Sequence, residues 1–108
     1  MKILFVENHS IFARQVVDCF LSAHEVMIVP DLLSARARLA ADRYDVVLMD
    51  YDLDDGKGEE LVRELRRAGN KIRIIGVSAR EDGNAALLQA GADAICSKMN
   101  FDRIREVI

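Results

Sequence analysis

The sequence predicts an α/β fold, a three-layer sandwich in which a five-stranded parallel sheet has helices on both faces. Five short apolar runs lack the alternation of a half-exposed strand, which is typical of strands buried on both faces. Segments of helical periodicity separate these runs, and this alternation indicates a parallel sheet with right-handed crossovers. With five strands we expect the flavodoxin-like order 2-1-3-4-5, which has a switch point between strands one and three.

Each predicted strand is an apolar run that ends in a loop. The runs are residues 3–6, 26–29, 46–49, 72–77 and 94–96. Gly76 within the fourth run suggests a close approach of another group to the backbone. The third run passes directly into an acidic stretch over residues 50–56. Because unpaired carboxylates are very unfavourable in an apolar interior, this strand must end where the acidic loop begins.

Helical spacing of apolar residues fills the intervals between the strands. We expect Ser10 to cap the first helix and Asp31 the second. The third helix lies between Gly58 and Gly69, since glycine accepts the left-handed conformation of a helix C-terminus. A short fourth helix and a last helix over residues 101–108 complete the pattern. The apolar face of the first helix is expected to consist of Phe12, Val16, Cys19 and Phe20.

The composition predicts one folded, soluble and mildly acidic domain over residues 1–108. The chain is 51% hydrophobic with a net charge of −3, which argues against disorder and against direct nucleic-acid binding. No apolar run approaches the length of a membrane span. We interpret Cys19 and Cys96 as reduced core residues, which suits a cytoplasmic protein. The short last helix suggests that the segment was cut from a longer chain or that a linker follows.

The densest basic cluster lies mostly on the predicted third helix. We interpret it as a solvated face, with a docking patch as the alternative. Its members are Arg63, Arg66, Arg67, Lys71 and Arg73.

Polar groups suited to phosphoryl chemistry follow the predicted strands. Because parallel strands end at the same edge, these groups are expected to share one rim of the sheet. Clustered carboxylates favour a divalent cation such as Mg²⁺, and a carboxylate can act as a nucleophile that forms an aspartyl phosphate. A lysine and a hydroxyl can neutralise the phosphoryl oxygens. The groups are Glu7, Asn8, Asp50, Asp52, Ser78 and Lys98.

The sequence resembles the receiver domain of two-component response regulators over essentially its whole length. The resemblance is carried by residues 5–8, 47–50, 54–58, 77–79 and 90–93, together with Lys98. It implies that Asp50 accepts a phosphoryl group from a histidine kinase or a phosphotransfer protein. It also implies that Ser78 and Lys98 form the switch that acts on an output domain or a downstream protein. A homodimer is left open.

The resemblance also implies an Mg²⁺ site formed by Glu7, Asn8, Asp50 and the backbone carbonyl of Asp52. Asn8 stands where the family usually has an Asp, and this exchange removes one negative ligand. Asp54 stands where the family usually has a Pro. We hypothesise that the Asp52 side chain restores the charge that is missing at Asn8, directly or through water.

Two other functions remain open at this point. Asn8 favours a pseudo-receiver, an interaction module that keeps the fold without being phosphorylated. The pair Asp50 and Asp52 superficially resembles the Asp-x-Asp motif of haloacid-dehalogenase-type phosphatases. That motif normally follows the first strand of a larger fold with a cap, whereas here it follows the third strand of a small domain. We therefore expect a signalling domain rather than an enzyme.

Overall fold

The computed structural model describes all residues 1–108 and contains the predicted parallel sheet. All neighbouring strands pair in parallel, in the order β2-β1-β3-β4-β5. The predicted order 2-1-3-4-5 is therefore confirmed. The strands are β1 Lys2–Val6, β2 Glu25–Val29, β3 Val46–Met49, β4 Arg73–Gly76 and β5 Ala94–Ile95.

Helices cover both faces of the sheet and bury two separate apolar clusters. Alternate residues of β1 point to opposite faces, so Leu4 belongs to one cluster and Phe5 to the other. Helices α2, α3 and α4 cover the first face, while α1 and a C-terminal 3₁₀ helix cover the second. The helices are α1 Ser10–Phe20, α2 Leu32–Ala41, α3 Gly58–Arg67, α4 Glu81–Ala90 and the 3₁₀ helix Lys98–Glu106.

The central strands β1 and β3 are buried as their continuous apolar runs predicted. All four residues of β3 are buried, as are the last four residues of β1. The prediction was wrong for the two edge strands. In β2, Met27 is 37% exposed and only Val29 is buried, and in β5 Ile95 is 41% exposed. Both strands lie at an edge of the sheet, so the layers on either side cover them incompletely.

Two predictions about helix α1 were wrong. Ser10 is the first helical residue rather than the cap, and the N-cap residue His9 makes no side-chain capping hydrogen bond. Cys19 is exposed, whereas Cys96 is buried. The side chains of α1 that pack on the sheet recur four residues apart and include Phe12 and Val16. Cys19 does not belong to this series and lies beside it on the helix surface. The predicted cap of α2 is confirmed, because Ser34 N donates to the Asp31 carboxylate at 2.8 Å.

The end of the chain differs from the predicted α-helix over residues 101–108. It forms the 3₁₀ helix Lys98–Glu106, which is interrupted at Asn100, where φ is −133° and ψ is 43°. Phe101 and Ile104 still anchor this segment in the core. Their spacing of three fits the three residues per turn of a 3₁₀ helix, which explains why the apolar pattern alone did not separate the two helix types.

A small hairpin connects β3 to α3 and shapes the loop after Asp50. Its two-residue strands Asp52–Leu53 and Gly56–Lys57 pair antiparallel. Helix α3 then begins against the backbone of Asp50, and a Cβ at Gly58 would overlap the Asp50 carbonyl oxygen. Gly58 therefore permits an approach that no other residue allows without a shift of the backbone.

No helix in this structure combines the length and apolar character needed to cross a membrane.

Candidate functional site

Glu7 and Asp50 lie side by side at the carboxyl edge of the sheet. The pairing of β1 with β3 places Val6 opposite Met49, and Asp50 N donates to the Val6 carbonyl at 3.0 Å. Both carboxylates follow central strands, which explains why they are 1% and 3% exposed. The sheet topology thus brings together two acids that are 43 positions apart in the sequence, as the strand order predicted.

Lys98 joins the two buried acids. Its Nζ lies 2.6 Å from Glu7 Oε1 and 3.2 Å from Asp50 Oδ1. The ammonium group also lies over the Phe12 ring, with Nζ 5.2 Å from the ring centroid. Lys98 N also donates to the Ser78 carbonyl at 3.1 Å. This hydrogen bond connects the start of the 3₁₀ helix to the loop after β4. The ammonium group therefore offsets part of the negative charge of the pair.

The environment of Asp50 favours its neutral form more than water would. Burial, and then the charge of Glu7, raise the pKa of Asp50 to about 6. The charge and hydrogen bond of Lys98 act in the opposite direction, as does the bond from Tyr51 N to Asp50 Oδ1 at 2.8 Å. Ionised Asp50 is thus under-compensated in this site, and an added cation would stabilise it.

His9 extends the acidic pair. Its backbone N and its ring Nδ1 each lie 3.1 Å from Glu7 Oε2. Glu7, His9 and Asp50 each offer one ligand atom, and these atoms lie within 4.8 Å of one another. The imidazole is largely exposed. Glu7 is consequently held from both sides, by His9 and by Lys98.

The nitrogen and the oxygen of the Asn8 side-chain amide have different surroundings. Its Nδ2 donates to Asp54 Oδ1 at 3.2 Å, whereas its Oδ1 is buried and has no hydrogen-bond partner. A buried carbonyl oxygen without a partner in the protein is unusual and is suited to bind a cation. Together with the carboxylates of Glu7 and Asp50, it makes a set of oxygen donors that fits Mg²⁺.

The side chain of Asp52 is engaged elsewhere. Its carboxylate pairs with Lys57 and, at 3.2 Å, with Arg80, and it is about half exposed. These cations lower the pKa of Asp52, with the hydrogen bond from Lys57 as the main cause. Asp52 is also outside the group of close ligand atoms around Glu7. The hypothesis that its side chain replaces the charge lost at Asn8 is therefore not supported by its contacts, and only its carbonyl remains a candidate ligand.

Ser78 is buried at the end of β4 and is held through its backbone. Asn84 Oδ1 accepts a hydrogen bond from Ser78 N at 3.0 Å, and Asn84 Nδ2 donates to the Ser78 carbonyl at 3.1 Å. The hydroxyl Oγ accepts from Arg80 N at 3.1 Å, which is a local turn. This contact uses a lone pair of Oγ, so the hydroxyl hydrogen remains free to be donated.

Sequence reasoning missed three residues of this site. Asn84 clamps Ser78, Asp54 holds the Asn8 amide, and Gly83 allows Ser78 to pack closely, since a Cβ there would lie 2.7 Å from Ser78 Oγ. An Asn within the first turn of a helix was a signal for Asn84, because this residue type more often caps helices than continues them. Nothing in the spacing of Asn8 and Asp54 indicated their contact.

Comparison with known proteins decides the family. Residues 3–108 match the family described as the response regulator receiver domain. The chain belongs to this family. A curated relative is the DNA-binding transcriptional activator DevR/DosR of Mycobacterium tuberculosis, which is 30% identical over 103 residues. That alignment covers 91% of this receiver domain and 48% of the relative.

Solved receiver domains share the fold. The receiver domain of the sensor histidine kinase PA1611 from Pseudomonas aeruginosa PAO1 is 26% identical, with a TM-score of 0.84. The match covers 98% of this chain and 92% of that one, which holds a magnesium ion coordinated in its active-site cleft. A CheY-like receiver domain protein from Methanospirillum hungatei JF-1 has a TM-score of 0.83 at 23% identity, with 97% and 87% of the two chains covered.

The receiver domain spans only part of its curated relatives. It covers between 27% and 48% of the length of three of them. The family places this chain in two-component signalling.

Proposed function

We propose that this receiver domain accepts a phosphoryl group on Asp50 from a histidine kinase or a phosphotransfer protein in the cytoplasm. The observation that carries the proposal is the convergence of Asp50, Glu7 and Lys98 in one buried cluster at the carboxyl edge of the sheet. Asp50 is the carboxylate that follows the central strand β3, and its two partners follow other strands of the same sheet.

The transfer is a nucleophilic displacement at phosphorus. A carboxylate oxygen of Asp50 attacks the phosphorus of a phosphohistidine, and the bond between phosphorus and the histidine nitrogen breaks. The nitrogen keeps the electron pair of that bond, and the product is an acyl phosphate on Asp50. Lys98, already 3.2 Å from Asp50 Oδ1, is positioned to stabilise the negative charge on the phosphoryl oxygens.

Glu7, Asn8, Asp50 and the backbone carbonyl of Asp52 would hold Mg²⁺. The bound cation would neutralise charge on the phosphoryl oxygens while transfer occurs. The protein contributes by holding Glu7 rigidly between Lys98 and His9 and by leaving Asn8 Oδ1 without a partner. The neutral Asn8 ligand is expected to give weaker Mg²⁺ binding than an Asp at this position.

The proposed switch is a movement of Ser78 and Lys98 toward the new phosphoryl group. The modification adds roughly 1.5 to 2 negative charges, which attracts an ammonium and a hydroxyl donor. Ser78 Oγ, which accepts a hydrogen bond from Arg80 N, would donate its hydroxyl hydrogen to a phosphoryl oxygen, and the loop after β4 would follow. The surface around α4 and β5, where Leu88 and Ile95 are exposed, is the proposed output face for an attached domain or a downstream protein.

Because Asn8 stands at the metal site, one alternative function remains. It is a pseudo-receiver that binds partners without being phosphorylated. Beryllofluoride with Mg²⁺ distinguishes the two, because it adds to a phosphoacceptor carboxylate as a phosphoryl mimic. Phosphorylation-competent protein should show amide shifts at Ser78 and Lys98 that are absent in Asp50→Ala. Unchanged spectra at saturating reagent would favour the pseudo-receiver, and turnover of phosphomonoesters would indicate a phosphatase.

A further inference from the structure

Two residues that depart from the family pattern contact each other. Asn8 follows β1 and Asp54 lies at the tip of the hairpin after β3, yet Asn8 Nδ2 donates to Asp54 Oδ1 at 3.2 Å. The two positions are 46 residues apart, so the contact is created by the fold rather than by the local sequence. Asp54 is exposed, and its carboxylate makes no hydrogen bond other than the one to Asn8. The contact with Asn8 is therefore the one evident role of this side chain.

The contact determines which end of the Asn8 amide is available to a ligand. An amide carries a donor nitrogen and an acceptor oxygen, and only the oxygen can bind a cation. Asp54 is an acceptor and therefore selects the orientation in which Nδ2 faces the hairpin. The oxygen Oδ1 is left buried without any partner from the protein. A flipped amide would place two acceptor oxygens against each other and lose this hydrogen bond.

The contact also returns negative charge to the neighbourhood of Asn8. A carboxylate that is hydrogen-bonded to a ligand group polarises it and strengthens its binding to a cation. Asp54 is suited to this role because no cation of the protein pairs with it, whereas Asp52 is engaged by Lys57 and Arg80. The charge that the exchange of Asp for Asn removed is thus present one hydrogen bond farther out.

We infer that Asp54 is a positioning residue for the divalent cation of this receiver domain. It fixes the Asn8 amide with its oxygen available for coordination, and its charge compensates for the neutral ligand. This inference rests on the proposed function, since it concerns the metal that assists phosphorylation of Asp50. It adds a residue that acts through Asn8 and does not itself contact the cation.

The test is a calorimetric titration of the metal-free protein with Mg²⁺, which measures the affinity for the cation. Asp54→Ala removes the hydrogen bond and the charge, and we expect it to weaken Mg²⁺ binding by about 10-fold or more, as for other groups that orient metal ligands. Asp54→Asn keeps an acceptor oxygen without the charge and should give a smaller loss. Glu60→Gln removes one negative charge near the same hairpin without a contact to Asn8, and it should bind Mg²⁺ as the unmodified chain does.

A double-mutant cycle separates orientation from general electrostatics. In an Asn8→Asp background the side chain has two equivalent acceptors and no amide to orient, so Asp54→Ala should change Mg²⁺ affinity by no more than about twofold. An equal loss in both backgrounds would overturn the positioning role. The side-chain NH₂ resonances of Asn8 in the metal-free protein give a second readout, and they should shift in Asp54→Ala but not in Glu60→Gln.

The outcome is independent of the test of phosphorylation. If Asp54→Ala binds Mg²⁺ as tightly as the unmodified chain, the inference is wrong even where Asp50 is phosphorylated. If the unmodified chain binds no Mg²⁺, the inference is wrong as well, and modification of Asp50 by a small phosphodonor then decides the proposed function separately.

Discussion

At the scale of single residues, Asp50 is an ionisable group held in an unfavourable environment. Its carboxylate is buried next to Glu7, and Lys98 compensates for only part of the combined charge. Such a site favours whatever brings positive charge to it, or removes its own negative charge. The ionised state of Asp50 is therefore maintained at the expense of stability, and perturbed carboxylates of this kind are common at functional sites.

Replacing Asp50 by Asn should stabilise the metal-free chain at neutral pH. The pKa of Asp50 is about 6 in the folded protein and about 4 when unfolded, so the folded state binds the proton more tightly. Stability then falls as pH rises from about 4 to 6, and the loss persists above pH 6. We expect Asp50→Asn to gain about 1–3 kcal/mol at pH 7 and almost nothing at pH 4.

Urea unfolding in the presence of a chelator measures this difference. Asp18→Asn is the matched control, since it removes an exposed carboxylate on α1 and should show no such gain between pH 4 and pH 7. An Asp50→Asn variant that is less stable than the unmodified chain at pH 7 would contradict the electrostatic description of the site.

At the scale of elements, two connections hold helix α3 in place. Helix α3 begins directly against the backbone of Asp50, where Gly58 leaves room for the carbonyl oxygen. At its other end, α3 is attached to the turn before β4 and to the end of α4 through Arg66. Its guanidinium donates to the carbonyls of Gly91 and Ile72 at 2.9 and 2.7 Å, and it pairs with Asp93. The interpretation of the basic cluster as a solvated face was therefore wrong for Arg66.

Helix propensity and tertiary packing predict opposite effects of Gly58→Ala on the free energy of unfolding. Helix propensity alone predicts a gain of about 1 kcal/mol, because alanine is the better helix former. The structure predicts a loss of about 1–3 kcal/mol, because the new Cβ would overlap the Asp50 carbonyl oxygen and lie 2.9 Å from Met49 Cγ. Denaturant unfolding of the variant decides between them, and a stabilised variant would mean that the helix start is not packed as described.

Arg66→Lys should be destabilising although it keeps the charge. Lysine cannot replace the forked guanidinium that reaches several carbonyl groups at once, and partly buried acceptors would lose their partners. We expect a loss of about 1–3 kcal/mol in the free energy of unfolding. Arg67→Lys, at the exposed neighbouring position, is the control and should remain within about 0.5 kcal/mol of the unmodified chain.

At the scale of the whole molecule, burial patterns made the architecture predictable. The continuous apolar runs of β1 and β3 identify central strands. Because the strands are parallel, the residues that follow β1, β3 and β5 bring Glu7, Asp50 and Lys98 to one rim. The 3₁₀ geometry of the C-terminal segment was not predictable, since Phe101 and Ile104 satisfy either helix type. The contact of Asn8 with Asp54 and the attachment of Arg66 were also missed, because both depend on where loops from distant parts of the chain meet.

The fold also offers a route by which the proposed phosphorylation of Asp50 would reach a distant surface. Lys98 and Ser78 follow the two strands beyond β3, and they are joined through a backbone hydrogen bond. Any displacement of these two residues toward Asp50 therefore acts on both loops that border α4 and β5. This route to the surface depends on the acceptance of a phosphoryl group by Asp50.

Intact-mass measurement after incubation with acetyl phosphate and Mg²⁺ tests the phosphorylation of Asp50. We expect the addition of one phosphoryl group per chain, mapped to Asp50 by peptide analysis, absent in Asp50→Asn and strongly reduced when a chelator removes the metal. An unmodified chain at high reagent concentration, or a phosphoryl group that maps to another residue, would contradict it.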